Sequence, residues 1–401
     1  MESICADKAA RELLEYCLAE RPWPEHLLDC LIAEPGNQAL FRIVVERLGD
    51  LFEPRLCRVY ADLFANVIAR RIPGLHAEHL IARYARICEP RPVDSDPSSV
   101  FVLSRVTLGA DVAITSVLLD AAKQRFPAAQ IWFAGPVKSW ELFAADRRLK
   151  HLPVPYGRSA TLDDRLAIWP QLRETLSRPG SIVIDPDSRL TQLGLLPVCP
   201  ERDYYFFESR AYGAGSSDPL KTLAERWARD VLGTRNARPY IDTGLDASRY
   251  ACTVSFGVGE NPDKRVAGPF EEELLKRLPR PLLIDRGAGG EEAERVERAV
   301  ERAGGGISMW DGAFAGFAAH IQKSNLYVGY DSAGGHVAAA CGVPMISIFA
   351  GFASERMFQR WRPTGPGPIK IVRDADKLIA AIASEASLWS FLPGADPEYR
   401  T

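Results

Sequence analysis

Three short stretches carry side chains of the kind that move protons or hold phosphate. The first runs from Ser104 to Thr115 and follows a β-favouring run, Val100 to Leu103. A carboxylate placed there, Asp111, can take the proton of a weakly nucleophilic hydroxyl as a new bond forms. The same side chain can instead cap the helix that follows. The second runs from Ser255 to Arg265. Gly257 and Gly259 let the backbone come close to a ligand, and Lys264 or Arg265 can offset phosphate charge. The third runs from Ser324 to Phe349 and reads as strand, turn, helix and strand. Its turn is Asp331-Ser332-Ala333-Gly334-Gly335, and the N–H groups from Ala333 to His336 open a short Ala-rich helix that stops at Gly342. A helix start of this kind binds phosphate without any side chain. The alternative is a plain Asp or Ser N-cap with glycines that only shape the turn.

These stretches need strand ends to present them, and the chain supplies strands in alternation with helices from Val100 onward. Runs at 100–103, 130–133, 181–184 and 204–207 read as strands, with helical spacing at about 111–126, 138–145, 161–177 and 218–232. Turn residues cluster near 242–248, and the alternation begins again with strands at 252–256, 282–285, 306–309, 326–328, 345–348 and 369–372. Helices lie between them. On one, Glu291 to Arg302, the pairs Glu291–Arg295 and Glu294–Arg298 read as a solvated face. Strand–helix alternation implies parallel sheets, and two such halves imply a cleft between them, where small-molecule sites form. A last helix is read at about 374–389.

Residues before about 90 differ in character. Apolar residues at helical spacing over 9–19, 25–32, 39–48, 55–68 and 77–87 are separated by breakers, among them Glu34-Pro35-Gly36 and Glu53-Pro54. They read as a small helical bundle. The tract from Glu89 to Ser99 reads as a linker. His76 and His79 lie three apart, but no third ligand accompanies them, so a surface pair is the expectation.

Composition narrows the function classes. A chain of 401 residues implies two or three domains. With 47% hydrophobic and 25% charged residues it can fill sizeable cores. A net charge of −3 without a basic block argues against nucleic acid as partner. Eight scattered cysteines without a CxxC pair favour free thiols in a reducing compartment, and no apolar run is long enough for a transmembrane segment.

The third stretch resembles the late motif of the family 9 glycosyltransferases, the heptosyltransferase-like enzymes, D-S-G-P-x-H-x-A-x-A-x-G-x-P. Asp331, Ser332, His336, Ala338, Ala340, Gly342 and Pro344 match it, while Ala333 and Gly334 replace its Gly-Pro. The first stretch is similar to that family's R-x-G-x-x-G-D-x-x-x-T. Arg105, Asp111 and Thr115 match, with Thr107 and Ala110 in place of the two glycines. Lys264 stands where the family has a diphosphate-binding Lys. Gly351 to Pro363 fits a further family motif only loosely, through Ser354 and Arg356.

The resemblance implies an α/β fold of GT-B type, with two Rossmann-like domains facing across a cleft behind an all-α helical N-terminal domain. The expected boundaries are 1–97, 98–245 (acceptor half) and 246–401 (donor half), and the resemblance implies that the final helix crosses back to the first half. It implies an inverting, metal-independent transfer from a nucleotide-sugar donor, ADP-heptose being the family's best-known one, to a glycan or lipid-linked saccharide acceptor. A role in lipopolysaccharide assembly at the cytoplasmic side of a membrane would follow, with no cofactor. Asp111 would be the base. Lys264, Asp331, Ser332, Gly334, Gly335 and His336 would hold the donor, helped by Gly257, Gly259, Arg265 and Arg356; Arg105 and Thr115 would face the acceptor. The bundle lies outside the resemblance and is a candidate surface for a protein partner. The competing readings are a scaffold that binds a nucleotide sugar without turnover and a sugar-nucleotide epimerase of the same shape.

Overall fold

The computed structural model describes residues 2–33, 38–157, 160–259, 262–374 and 377–379. The chain opens with helices Glu2–Leu18, Glu25–Ala33, Leu40–Val45, Glu46–Asp50, Pro54–Arg71 and Ala77–Ile87. Pro54 begins its helix, where the missing N–H costs nothing and the fixed φ suits the first turn.

Strands β1 (Ser99–Leu103), β2 (Gln130–Gly135), β3 (Leu149–Pro153), β4 (Ser181–Asp185) and β5 (Tyr204–Phe206) form one parallel sheet in the order β3-β2-β1-β4-β5. Strands β6 (Cys252–Ser255), β7 (Leu282–Asp285), β8 (Ile307–Trp310), β9 (Tyr327–Tyr330), β10 (Met345–Ile348) and β11 (Ile369–Val372) form a second in the order β11-β10-β9-β6-β7-β8. Both sheets are doubly wound. Their strand order reverses between β1 and β4 and between β6 and β9, so the crevices open at the ends of those strands.

Two elements depart from the sequence reading. The helix expected over 138–145 is a single turn, Val137–Trp140, and β3 was not anticipated. β3 is an edge strand with exposed or half-buried Lys150, His151 and Leu152, and edges of this kind lack the apolar run that marks a central strand. On the Gly290–Ala303 helix the Glu294–Arg298 pair forms at 3.7 Å, but Arg295 turns inward to Glu271 and donates to Phe256 O at 3.0 Å. Most of the last expected helix, 374–389, lies outside the described residues, as do Glu34-Pro35-Gly36.

Side chains of the first sheet divide by strand parity. Val100, Val102, Ile131, Phe133, Ile182 and Ile184 pack under the Ser116–Arg125 and Leu220–Leu232 helices. Phe101, Leu103, Ala134, Val183, Tyr204 and Phe206 face the other way and share one apolar cluster with Leu13, Leu28, Phe64, Val67 and Ile68 of the bundle. The bundle is therefore the second helical layer of the first sheet. Polar ties reinforce it: Arg83 donates to Gly194 O at 2.6 Å, and Arg86 grips Glu201 with bonds of 2.8 and 2.9 Å. The second sheet packs its opposite face, with Cys252, Val254, Ile284, Val328 and Ile346, under the Phe270–Arg277 and Gly290–Ala303 helices.

Candidate active site

The C-terminal ends of β6 and β9 bring the second and third stretches together. Lys264 Nζ lies 2.6 Å from Asp331 Oδ2, with side chains 16% and 11% exposed. The helix Ala333–Cys341 begins beside them. Ser332 is its N-cap residue, yet its side chain makes no capping hydrogen bond. Its hydroxyl instead sits 3.4 Å from the Tyr327 hydroxyl. Ser332 therefore does not cap this helix, and its opening N–H groups carry the partial positive charge that draws an anion. Gly334 is required by packing, because a Cβ there would run into the Tyr327 ring and hydroxyl. Gly335 would place its Cβ 3.4 Å from Met345 Cε, an ordinary contact.

His336 is buried, and that burial holds its pKa below the usual value, with Asp331 opposing and Lys264 adding to the shift. Its ring packs edge-on to Trp361 at 5.7 Å. Gly257 lies beside Glu292, whose Oε1 would be 3.1 Å from an added Cβ. Gly259 has φ 64, the left-handed backbone that favours glycine. Glu260, between these residues and Lys264, lies outside the described residues. Arg265 stands 4.0 Å from Glu291.

The first stretch encloses its carboxylate. Asp111 is 0% exposed. Its carboxylate accepts from Ser104 Oγ, Arg105 N and Thr115 Oγ1, each at 2.7 Å. Burial raises its pKa, and the hydroxyls of Ser104, Ser139 and Thr115 and the Arg105 N–H work against that shift. Asp111 sits one turn inside the helix that starts at Leu108, so it is not an N-cap; it binds the β1–helix turn to the helix. Val106 holds φ 61, a strained conformation for a β-branched residue, just where the chain leaves β1. Arg105 and Thr115, expected to face an acceptor, point inward. The Arg105 guanidinium donates to Pro186 O at 2.8 Å and to Ser209 Oγ at 2.5 Å, and Thr115 is 0% exposed.

The two halves meet at Gly109. A Cβ there would be 3.1 Å from His336 Cδ2 and 3.3 Å from Ala333 Cα, so glycine lets the β1 turn lie close against the donor-side helix and a larger residue would make its neighbours give by a few tenths of an ångström. Arg356, expected at the donor, donates instead to Phe52 O of the bundle and to Ala214 O.

Several residues at this junction escaped sequence reasoning. The bundle sends the turn Gly49–Glu53 between the halves. Phe52 is buried at φ 54 with its ring perpendicular to Trp361 at 6.2 Å. Loss of surrounding water raises the Asp50 pKa, while Arg210, Arg189 and Lys264 pull it back. Lys138 of the first half acts in the same way on Asp285 at the end of β7, whose pKa is raised first by burial and also by Glu292. The only signal in Gly49-Asp50-Leu51-Phe52-Glu53-Pro54 is that of a turn, which says nothing of its destination.

The fold that carries this junction is that of the GT-B glycosyltransferases. A glycosyl transferase family 9 protein from Veillonella parvula aligns with TM-score 0.52 at 15% identity, over 75% of this chain and 93% of its own. The heptosyltransferase WaaC of E. coli with ADP gives 0.50 at 14% identity, over 72% and 99%. The same enzyme with ADP-2-deoxy-2-fluoro heptose gives 0.51 at 15% identity, over 72% and 98%. Residues 312–369, from the end of β8 to β11, match the model of Glycosyltransferase family 9 (heptosyltransferase). No curated protein sequence matches the chain.

Proposed function

We propose that this protein is a heptosyltransferase-like glycosyltransferase that uses a nucleotide-diphosphate sugar. The observation that carries the reading is that the family 9 match falls on the uncapped helix start, with Lys264 and Asp331 in contact beside it. A diphosphate would take Lys264 and the Gly334–His336 amides, the charge-assisted and helix-dipole contacts that steady a leaving nucleotide. Asp331 would then turn to donor-sugar hydroxyls. Asp111 would serve as base toward a saccharide hydroxyl, in an inverting displacement that these residues carry out without a metal. For that, a substrate hydroxyl has to replace the Ser104 Oγ contact, which requires the Arg105–Gly109 turn to lift. ADP-heptose is the first donor to try, on the strength of what the E. coli structures hold.

One observation favours a second reading, a donor-binding protein without turnover: the Asp111 carboxylate is covered on every side by the protein's own donors. A panel of ADP-, UDP- and GDP-sugars, scored for both thermal stabilisation and nucleotide release, separates the two. Stabilisation with sugar transfer or slow hydrolysis supports the enzyme; stabilisation without either supports the binding protein. Absence of stabilisation by every donor overturns both.

A further inference from the structure

Phe52 leaves the apolar cluster of its own bundle. Leu48, Leu56, Tyr60 and Phe64 pack with the first sheet. Phe52 alone of the bundle's described residues joins the cluster that runs through Ile114 and Leu220 of the first half to Val337, Ala338 and Ala339 of the donor half. It sits there at φ 54, in the left-handed region where a bulky side chain is rarely found. Residues held in such a conformation persist only where neighbouring contacts fix them, and they gather at clamps and switches.

Both halves supply those contacts. On the first half, Gly49 lies against Arg210, whose Nε would be 3.1 Å from a Cβ at Gly49, and Asp187 holds Arg210 in turn at 2.8 Å. On the other, Arg356 donates to Phe52 O and to Ala214 O in the turn after β5. One guanidinium thus ties the bundle and the first half to the helix Glu355–Trp361. Arg360, one turn further along, also reaches Ala214 O, at 3.3 Å. The Phe52 ring meets Trp361 edge-on at 6.2 Å, and Trp361 meets His336 at 5.7 Å. Gly109 packs on that same His336. A chain of contacts therefore runs from the bundle turn to the place where the β1 turn touches the donor-side helix.

We propose that the Gly49–Glu53 turn is an autoinhibitory latch: through Phe52 and Arg356 the bundle holds the two halves in the contact made at Gly109, and the latch has to release before the Arg105–Gly109 turn can lift. A substrate hydroxyl reaches Asp111 only after that lift, so the latched form withholds the base. The consequence for turnover rests on the glycosyltransferase reading; the coupling of the bundle to the two halves does not. Contacts made in one of two arrangements set the balance between them. Weakening the latch therefore raises the open fraction, and with it the rate of any step that needs the open form.

The test is hydrogen exchange of the full chain, read on peptides covering 104–112 and 333–341. Arg356→Met removes both carbonyl bonds without touching the bundle core, and should speed exchange in both peptides at least about fivefold, because a weaker latch opens more often. Arg356→Lys, which can reach one carbonyl at a time, should fall between. Phe52→Ala should resemble Arg356→Met, and in a Trp361→Leu background it should add little, because its effect passes through that ring. With a donor sugar that the wild type turns over, Arg356→Met should be at least about threefold faster. Unchanged exchange in Arg356→Met overturns the latch. So does faster exchange in a variant whose turnover does not rise, which would make the turn a positioning device. If Phe52→Ala unfolds, or also speeds exchange across 54–87, the two Arg356 variants decide. If no donor is turned over by any variant, the glycosyltransferase reading fails, and the exchange result alone decides the latch.

Discussion

Asp111 shows how one residue can hold a fold and offer a chemistry at once. Ser104, Arg105 and Thr115 each give it a 2.7 Å bond, so it arrives prepaired rather than poised in solvent. If it is the base, Asp111→Asn should lower transfer about a hundredfold or more while donor affinity stays within about twofold. Steady-state rates beside donor titrations decide this, and an Asn variant as fast as the parent leaves Asp111 a purely structural role. Asn turns one acceptor into a donor, so a lower melting point is expected as well. Lys264→Ala should weaken ADP about ten- to hundredfold while adenosine is little affected, since a charge-assisted contact contributes about 1.5–3 kcal/mol. Equal losses for ADP and adenosine would mean that the β6 loop had come loose. Asp331 would also lose its partner, which adds to the change seen in sugar contacts.

At the scale of elements, the sequence makes the central strands and the third stretch readable because each obeys a local rule. β1, β4, β9 and β10 are continuous apolar runs, and Asp331–Gly342 is an ordered turn followed by a small-residue helix. β3 and the placement of Gly49–Glu53 obey no local rule, since they are fixed by neighbours distant in sequence: β2 for the strand, Trp361 and Arg356 for the turn. The inward course of Arg105 and Arg295 was illegible for the same reason. Glu208, in the turn after β5, is another product of tertiary packing. Burial first, then Asp187, raises its pKa to about 7, with Arg210 and the Ala211 N–H opposing. A carboxyl whose folded pKa lies above its unfolded value favours the folded state at low pH. Stability is therefore expected to fall as pH rises from about 4.5 through about 7. Melting curves across that range should show this slope in the parent and a flatter one in Glu208→Gln; parallel curves would remove Glu208 as the cause. Gly109→Val should loosen the contact between the halves, because a Cβ meets Ala333 Cα at 3.3 Å and backbone cannot step aside as a side chain can. A larger radius of gyration in solution scattering would register it, and an unchanged profile would show that the contact can absorb the valine side chain.

For the molecule as a whole, the bundle decides what can be removed. The expected boundary at residue 97 is legible in composition, but the apolar cluster runs across it, from Leu13 and Phe64 to Phe101 and Tyr204. Deleting residues 1–97 should therefore expose one face of the first sheet and yield aggregated protein. A soluble, monomeric truncation with native circular dichroism would show that the layer is dispensable. Among the described residues no helix is long and apolar enough to cross a membrane.

The shared layer also sets a clock on synthesis. The last bundle helix ends at Ile87, whereas β5, the final strand it covers, ends at Phe206, 119 residues later. At about 5–20 residues per second a ribosome needs roughly 6–24 s to supply that difference. Throughout that interval the bundle is complete as helices, but the sheet it packs on, which closes the cluster around Phe64, Val67 and Ile68, is still incomplete. Nascent chains in that window should be the ones that chaperones hold.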